Sequence, residues 1–147
     1  MPSQDEEAIV LLEEDHHGLE RLFQQYKNAH DDGTKHSLTR QICQELTVHT
    51  QIEHEIFYPA FQRATNDTAR VQDGEREHRE AMDLIHRIEA KQFDDQMMQE
   101  LEKAVMHHIS DERDKMFPEA RKAQGMDMPR LARQLMERKA ELVAAHA

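Results

Sequence analysis

Residues 49–59 read HTQIEHEIFYP and residues 108–118 read HISDERDKMFP. Each segment opens on a histidine, with a glutamate four residues later and a proline ten residues later: His49, Glu53 and Pro59, then His108, Glu112 and Pro118. Residues four apart on an α-helix lie one above the other on one face. An imidazole and a carboxylate are therefore stacked twice, in equivalent places. That donor pair suits non-haem iron, zinc or manganese, and its repetition favours a two-metal site over a chance pair.

A second pair of matches extends the repeat. Asp15-His16 stands about 30 residues before the first segment and Glu77-His78 stands 30 residues before the second. Leu22-Phe23 then correspond to Leu84-Ile85. The chain reads as two related halves, each a helix carrying one histidine followed by a helix carrying one His-x-x-x-Glu pair.

Hydrophobic spacing supplies the helices. Ile9, Leu12, His16, Leu19 and Phe23 step by 3, 4, 3 and 4, behind a capping box at Ser3–Glu6. A turn is expected over Ala29–Thr34. The second helix carries Leu38, Ile42, Leu46, His49, Glu53 and Phe57 on one face and ends near Asn66. The third carries Val71, Gly74, His78, Met82 and Ile85. After a turn at Lys91–Asp95, the fourth carries Met97, Leu101, Val105, His108, Glu112 and Met116 and stops near Gly125. Asp127 caps a short fifth helix with Pro129 in its first turn and Leu131, Leu135 and Leu142 on its apolar side. Pro59 and Pro118 each remove a backbone donor, so a kink or early termination is expected there.

These elements predict an all-α fold: an up-down-up-down four-helix bundle over about residues 4–124 and a C-terminal helix over about 127–145, in one domain of 147 residues. No segment alternates with the two-residue period of a strand. A net charge of −11 argues against nucleic acid or an anionic membrane as partner. Cys43 is the single cysteine, which excludes an internal disulfide and a thiolate metal cluster. No signal peptide or membrane span is legible, and a cytoplasmic location is expected.

His16, His49, Glu53, His78, His108 and Glu112 all fall on the expected core faces. Burying six such groups is costly unless they are paired or bound to metal. Taken singly, His16 or His78 reads as a core histidine bonded to a backbone carbonyl. The two matching pairs on core faces shift that reading to a metal site. His17, His30, His36, His54, His86, His107 and His146 fall off the stripes or in turns and read as solvated, with His54 and His107 placed to neighbour ligands. A competing set exists. Glu13-x-x-His16 and Glu75-x-x-His78, with Glu53 and Glu112, would make the four-carboxylate, two-histidine site of ferritin-like bundles. That set leaves His49 and His108 without a purpose.

At these residues the chain resembles the hemerythrin-like, or HHE cation-binding, family. The resemblance spans about residues 8–120 and rests on DHHGLERLF, HTQIEHEIFYP, EHREAMDLI and HHISDERDKMFP. It implies a four-helix bundle around a non-haem di-iron centre held by His16, His49, Glu53, His78, His108 and Glu112. The two glutamates and an oxo or hydroxo group would bridge the irons. The oxygen-carrying members have a fifth histidine four residues before the one matched by His78, where this chain has Gly74. They have an aspartate where this chain has Arg113. Counting ligands, about two of twelve coordination positions then stay open, and Gly74 is expected to leave room beside one of them. The expected task is to bind or reduce a small oxidant (O2, hydrogen peroxide or nitric oxide), with an oxygen sensor or an iron-donating module as the alternative. An electron-donating partner is left unidentified.

Overall fold

The computed structural model describes residues 6–91 and 94–146, and these contain helices and no strand. Five helices follow one another. Helix α1 is Glu7–Asn28. Helix α2 runs Asp32–Ile52, passes through a π-helical turn at Glu53–Phe57 and continues as Tyr58–Thr65. Helix α3 is Thr68–Lys91. Helix α4 runs Asp95–Asp111, passes through a second π-helical turn at Glu112–Met116 and continues as Phe117–Lys122. Helix α5 is Met128–Ala145. The expected all-α bundle with a C-terminal helix is the observed fold. The capping box expected at Ser3–Glu6 falls largely outside the described residues.

Polar caps set the starts. Asp31 accepts from the Thr34 amide, Asp94 from those of Gln96 and Met97, and Asp127 from that of Arg130. Because Asp31 is a cap, α2 begins inside the stretch expected as a turn. Asn66 closes α2 with φ +57°, a left-handed conformation that asparagine tolerates. Helix α4 ends at Lys122, three residues before Gly125, whose φ of +100° belongs to the loop.

Of the kink or early termination expected at the two prolines, the termination needs correction. Neither Pro59 nor Pro118 ends its helix. Proline lacks an N–H and its ring collides with the carbonyl four residues back. Here each helix takes in one extra residue just upstream. The Tyr58 amide bonds to the Glu53 carbonyl and the Phe117 amide to the Glu112 carbonyl, five residues back. The widened turn displaces the obstructing carbonyl, and the helix resumes.

Helix α1 packs on α2 and α3 on α4, while α5 packs along α1 and α2. Two apolar clusters fill the interior. One holds Leu19, Phe23, Ile42, Leu46, Ile85 and Leu101; the other holds Ile9, Leu12, Ile52, Phe57, Phe117 and Leu135. Along each of the first four helices the polar core residues lie between members of these two clusters. The polar layer is thus sealed by hydrocarbon at both ends.

Candidate metal centre

The structure brings all six expected side chains together. His16, His49, Glu53, His78, His108 and Glu112 are each at most 6% exposed, and Glu53 is fully buried. Their donor atoms form two sets. His16 and His49 join Glu53 and Glu112 in one; His78 and His108 join the same two glutamates in the other. Glu112 Oε1 lies 3.0 Å from His16 Nε2 and 3.3 Å from His108 Nε2. Glu53 Oε1 lies 3.3 Å from His49 Nε2, 2.9 Å from His78 Nε2 and 3.4 Å from His108 Nε2. Each glutamate therefore faces histidines from both halves.

These contacts converge as ion pairs without forming aligned hydrogen bonds at every atom. His16 Nε2, His49 Nε2, Glu53 Oε2 and Glu112 Oε1 are buried and make no hydrogen bond of good geometry. Buried polar atoms without partners are rare in folded proteins. Donors on ~2.1 Å bonds to one ion stand about 3.0 Å apart in octahedral and about 3.4 Å apart in tetrahedral geometry, close to the 2.9–3.4 Å separations between these atoms. The donor set, its spacing and its orphaned lone pairs fit bound metal.

Without metal, the charges sit as ion pairs. Burial alone would push the Glu53 carboxyl up, but His49, His108 and His78 hold it well below the usual range. Burial opposes charging of His49, and Glu53 and Asp15 overcome it and push its pKa up to about 10.

Two carboxylates orient the inner histidines. Asp15 Oδ2 lies 3.0 Å from His49 Nδ1, and Glu77 Oε1 lies 2.7 Å from His108 Nδ1. Each leaves Nε2 of its histidine aimed at the centre, the arrangement that fixes the tautomer of a metal-binding imidazole. Asp15 and Glu77 are the residues immediately before His16 and His78. Each reaches across to the following helix. The sequence displayed them as part of the repeat but gave them no task.

Tyr58 and Phe117 are the further residues that sequence reasoning missed. Both precede the prolines and lie five residues beyond Glu53 and Glu112. A helical stripe drawn at 3.6 residues per turn passes from Glu53 to Phe57; the π turn also brings position 58 beneath position 53. The Tyr58 ring stacks on His78 at 5.0 Å and 12°, and the Phe117 ring stacks on His16 at 5.8 Å and 17°. The aromatic residue just before each proline is the signal that could have found them. Only Tyr58 carries a hydroxyl. It donates to Glu112 Oε2 at 2.7 Å and lies 3.2 Å from His78 Nε2. Burial, then the Glu112 and Glu53 carboxylates, raise the phenol well above its ordinary pKa and keep it a neutral donor.

This overturns the expectation of room beside Gly74. A Cβ at Gly74 would stand 2.7 Å from the Tyr58 hydroxyl and 2.9 Å from its ring carbons. The volume that a fifth histidine would need is filled by the tyrosine. The ferritin-like set is also not assembled. Glu13 pairs with Arg121 at 3.3 Å and Glu75 with His54 at 2.7 Å, both on the outside of the bundle. His54 thus pairs with Glu75, whereas His107 reaches Glu77.

Fold and site together define a helical-bundle cation-binding domain. The hemerythrin HHE cation-binding domain model matches residues 7–120, and the chain belongs to that family. No curated protein and no solved structure matches it significantly.

Proposed function

We propose that the six residues hold two iron ions and that the protein binds or reduces a small oxidant there: O2, hydrogen peroxide or nitric oxide. The observation that carries this reading is the sharing of Glu53 and Glu112 between two histidine pairs. Two metal ions bridged by carboxylates would supply redox chemistry that no side chain present can supply. The protein's part is to orient His49 and His108 through Asp15 and Glu77, to seal the centre with apolar clusters, and to present the Tyr58 hydroxyl. The neutral phenol beside His78 has one O–H, given to Glu112 Oε2 in this structure, and would have to turn from it to donate to an oxygen or nitrogen atom brought next to His78. A cleft of about 500 Å³ between α2 and α3, lined by Thr47, Thr50, Arg79 and Met82, includes His78 in its wall.

The test begins with iron-loaded protein, reduced anaerobically and then mixed with O2, peroxide or nitric oxide in turn. The visible spectrum and the loss of oxidant are followed. Consumption of one oxidant faster than by free iron supports turnover. Stable, reversible spectral change with no consumption contradicts turnover and favours an oxygen sensor or iron-holding module. The ligand set is tested separately. His49→Ala and His108→Ala should strip or badly weaken iron binding, and Glu13→Ala and Glu75→Ala should not. The opposite pattern, measured by iron analysis of the four variants, contradicts the set.

A further inference from the structure

The two halves of the bundle differ in what stands behind the carboxylate that orients the inner histidine. In the first half, Asp15 Oδ2 holds His49 while Asp15 Oδ1 pairs with the Lys139 ammonium of α5 at 2.5 Å. In the second half, Glu77 Oε1 holds His108, and Glu77 Oε2 is buried and makes no hydrogen bond. The group facing it is a second imidazole. His107 Nε2 lies 3.4 Å from Glu77 Oε2 and 3.3 Å from Asp111 Oδ2.

The repeat explains the difference. In the alignment of the two His-x-x-x-Glu segments, His107 and Asp111 occupy the places of Val48 and Ile52. Those two are apolar and buried in the cluster that includes α5 residues. His107 is 66% exposed, while Glu77 is only 6% exposed. A buried carboxylate oxygen thus points at an exposed histidine and a half-buried aspartate one helical turn apart.

We infer that Glu77, His107 and Asp111 form a third cation site, separate from the buried centre, for one divalent first-row metal ion such as Zn²⁺, Mn²⁺ or Fe²⁺. The ligand atoms are Glu77 Oε2, His107 Nε2 and Asp111 Oδ2. One imidazole and two carboxylates are a donor set that borderline ions accept. The 3.3 and 3.4 Å separations are those of donors sharing one ion of ~2.1 Å bond length. Three protein donors on an exposed face leave the remaining coordination to water. Lys115 approaches Asp111 at 3.5 Å, on Oδ1, and leaves Oδ2 to the site. An ion here would balance Glu77 as Lys139 balances Asp15.

The test is a Zn²⁺ titration of the metal-free 147-residue chain by calorimetry, comparing the unaltered protein with His107→Ala and Asp111→Ala. Both substitutions lie on the bundle surface, and thermal melting of the metal-free variants checks that the fold is kept. Each variant should take up one equivalent fewer than the unaltered protein. The Nε2 resonance of His107 in ring-nitrogen NMR should shift with Zn²⁺ in the unaltered protein and not in Asp111→Ala. Being a difference of one equivalent, the result is independent of how many ions the buried centre takes. Equal uptake by all three proteins, loss in one variant only, or a silent His107 resonance would overturn the site. A His107 ring set between two carboxylates would then account for the contacts.

Discussion

Tyr58 and Gly74 form one packing unit. The tyrosine reaches its place because the π turn lowers it onto His78, and the glycine leaves no side chain in its way. Gly74→Ala would set a methyl group 2.7 Å from the phenol oxygen. Tyr58 is 1% exposed and its ring is pinned by stacking, so it has no open rotamer to escape into. The expected cost is about 1–3 kcal/mol, read as a lower urea midpoint of the metal-free protein. Gly74→Ala combined with Tyr58→Leu should cost clearly less than the sum of the two single changes, because the collision is removed. Additive costs would mean the two residues do not share the space. The six buried histidines and glutamates at the centre were legible because the His-x-x-x-Glu spacing is the spacing of an α-helix. Tyr58 was not, because its position depends on a turn with a different period. Gly74 was read as empty space for the same reason: the residue that fills it comes from another helix.

At the scale of elements, the prolines and α5 shape the centre. Pro59 and Pro118 were visible as disturbances, but the sequence alone left open how the helix would absorb them. The C-terminal helix was legible from its cap and leucine spacing. What it packs on was not, since nothing local in Leu131 or Leu135 names a partner. The structure sets Leu135, fully buried, into the cluster with Ile9, Leu12, Ile52 and Phe117. Lys139 and Arg138 then pair with Asp15 and Glu55. Leu135→Ala should therefore destabilise the whole bundle by about 2–5 kcal/mol in a single cooperative transition. A separate early transition for α5, with the rest of the unfolding curve unchanged, would show that this helix is only an appendage.

For the whole molecule, the buried charges give the metal-free protein a defined response to pH. Glu53 is held well below its ordinary pKa. Its contribution is present above about pH 4.5 and is lost as pH falls through the folded value. His49 is raised to about 10. Its contribution is complete below its unfolded pKa of about 6.5 and is lost as pH rises towards 10. The metal-free protein should accordingly have a higher urea midpoint at about pH 6 than at about pH 9, and an unchanged or higher midpoint at pH 9 would contradict the ion-paired core. Metal binding needs neutral imidazoles, so affinity for the ions should move the other way and rise with pH.

The all-helical bundle and the two-half layout were written into the repeat, and no described helix is long and apolar enough to cross a membrane. The claim on which the functional reading depends is that Glu53 and Glu112 are shared between two metal ions. The most direct measurement is iron per chain after anaerobic reconstitution and passage over a chelating resin, which strips an ion held at an exposed site. Two tightly held irons per chain are predicted. One iron or less, or a clear preference for zinc over iron, would contradict it.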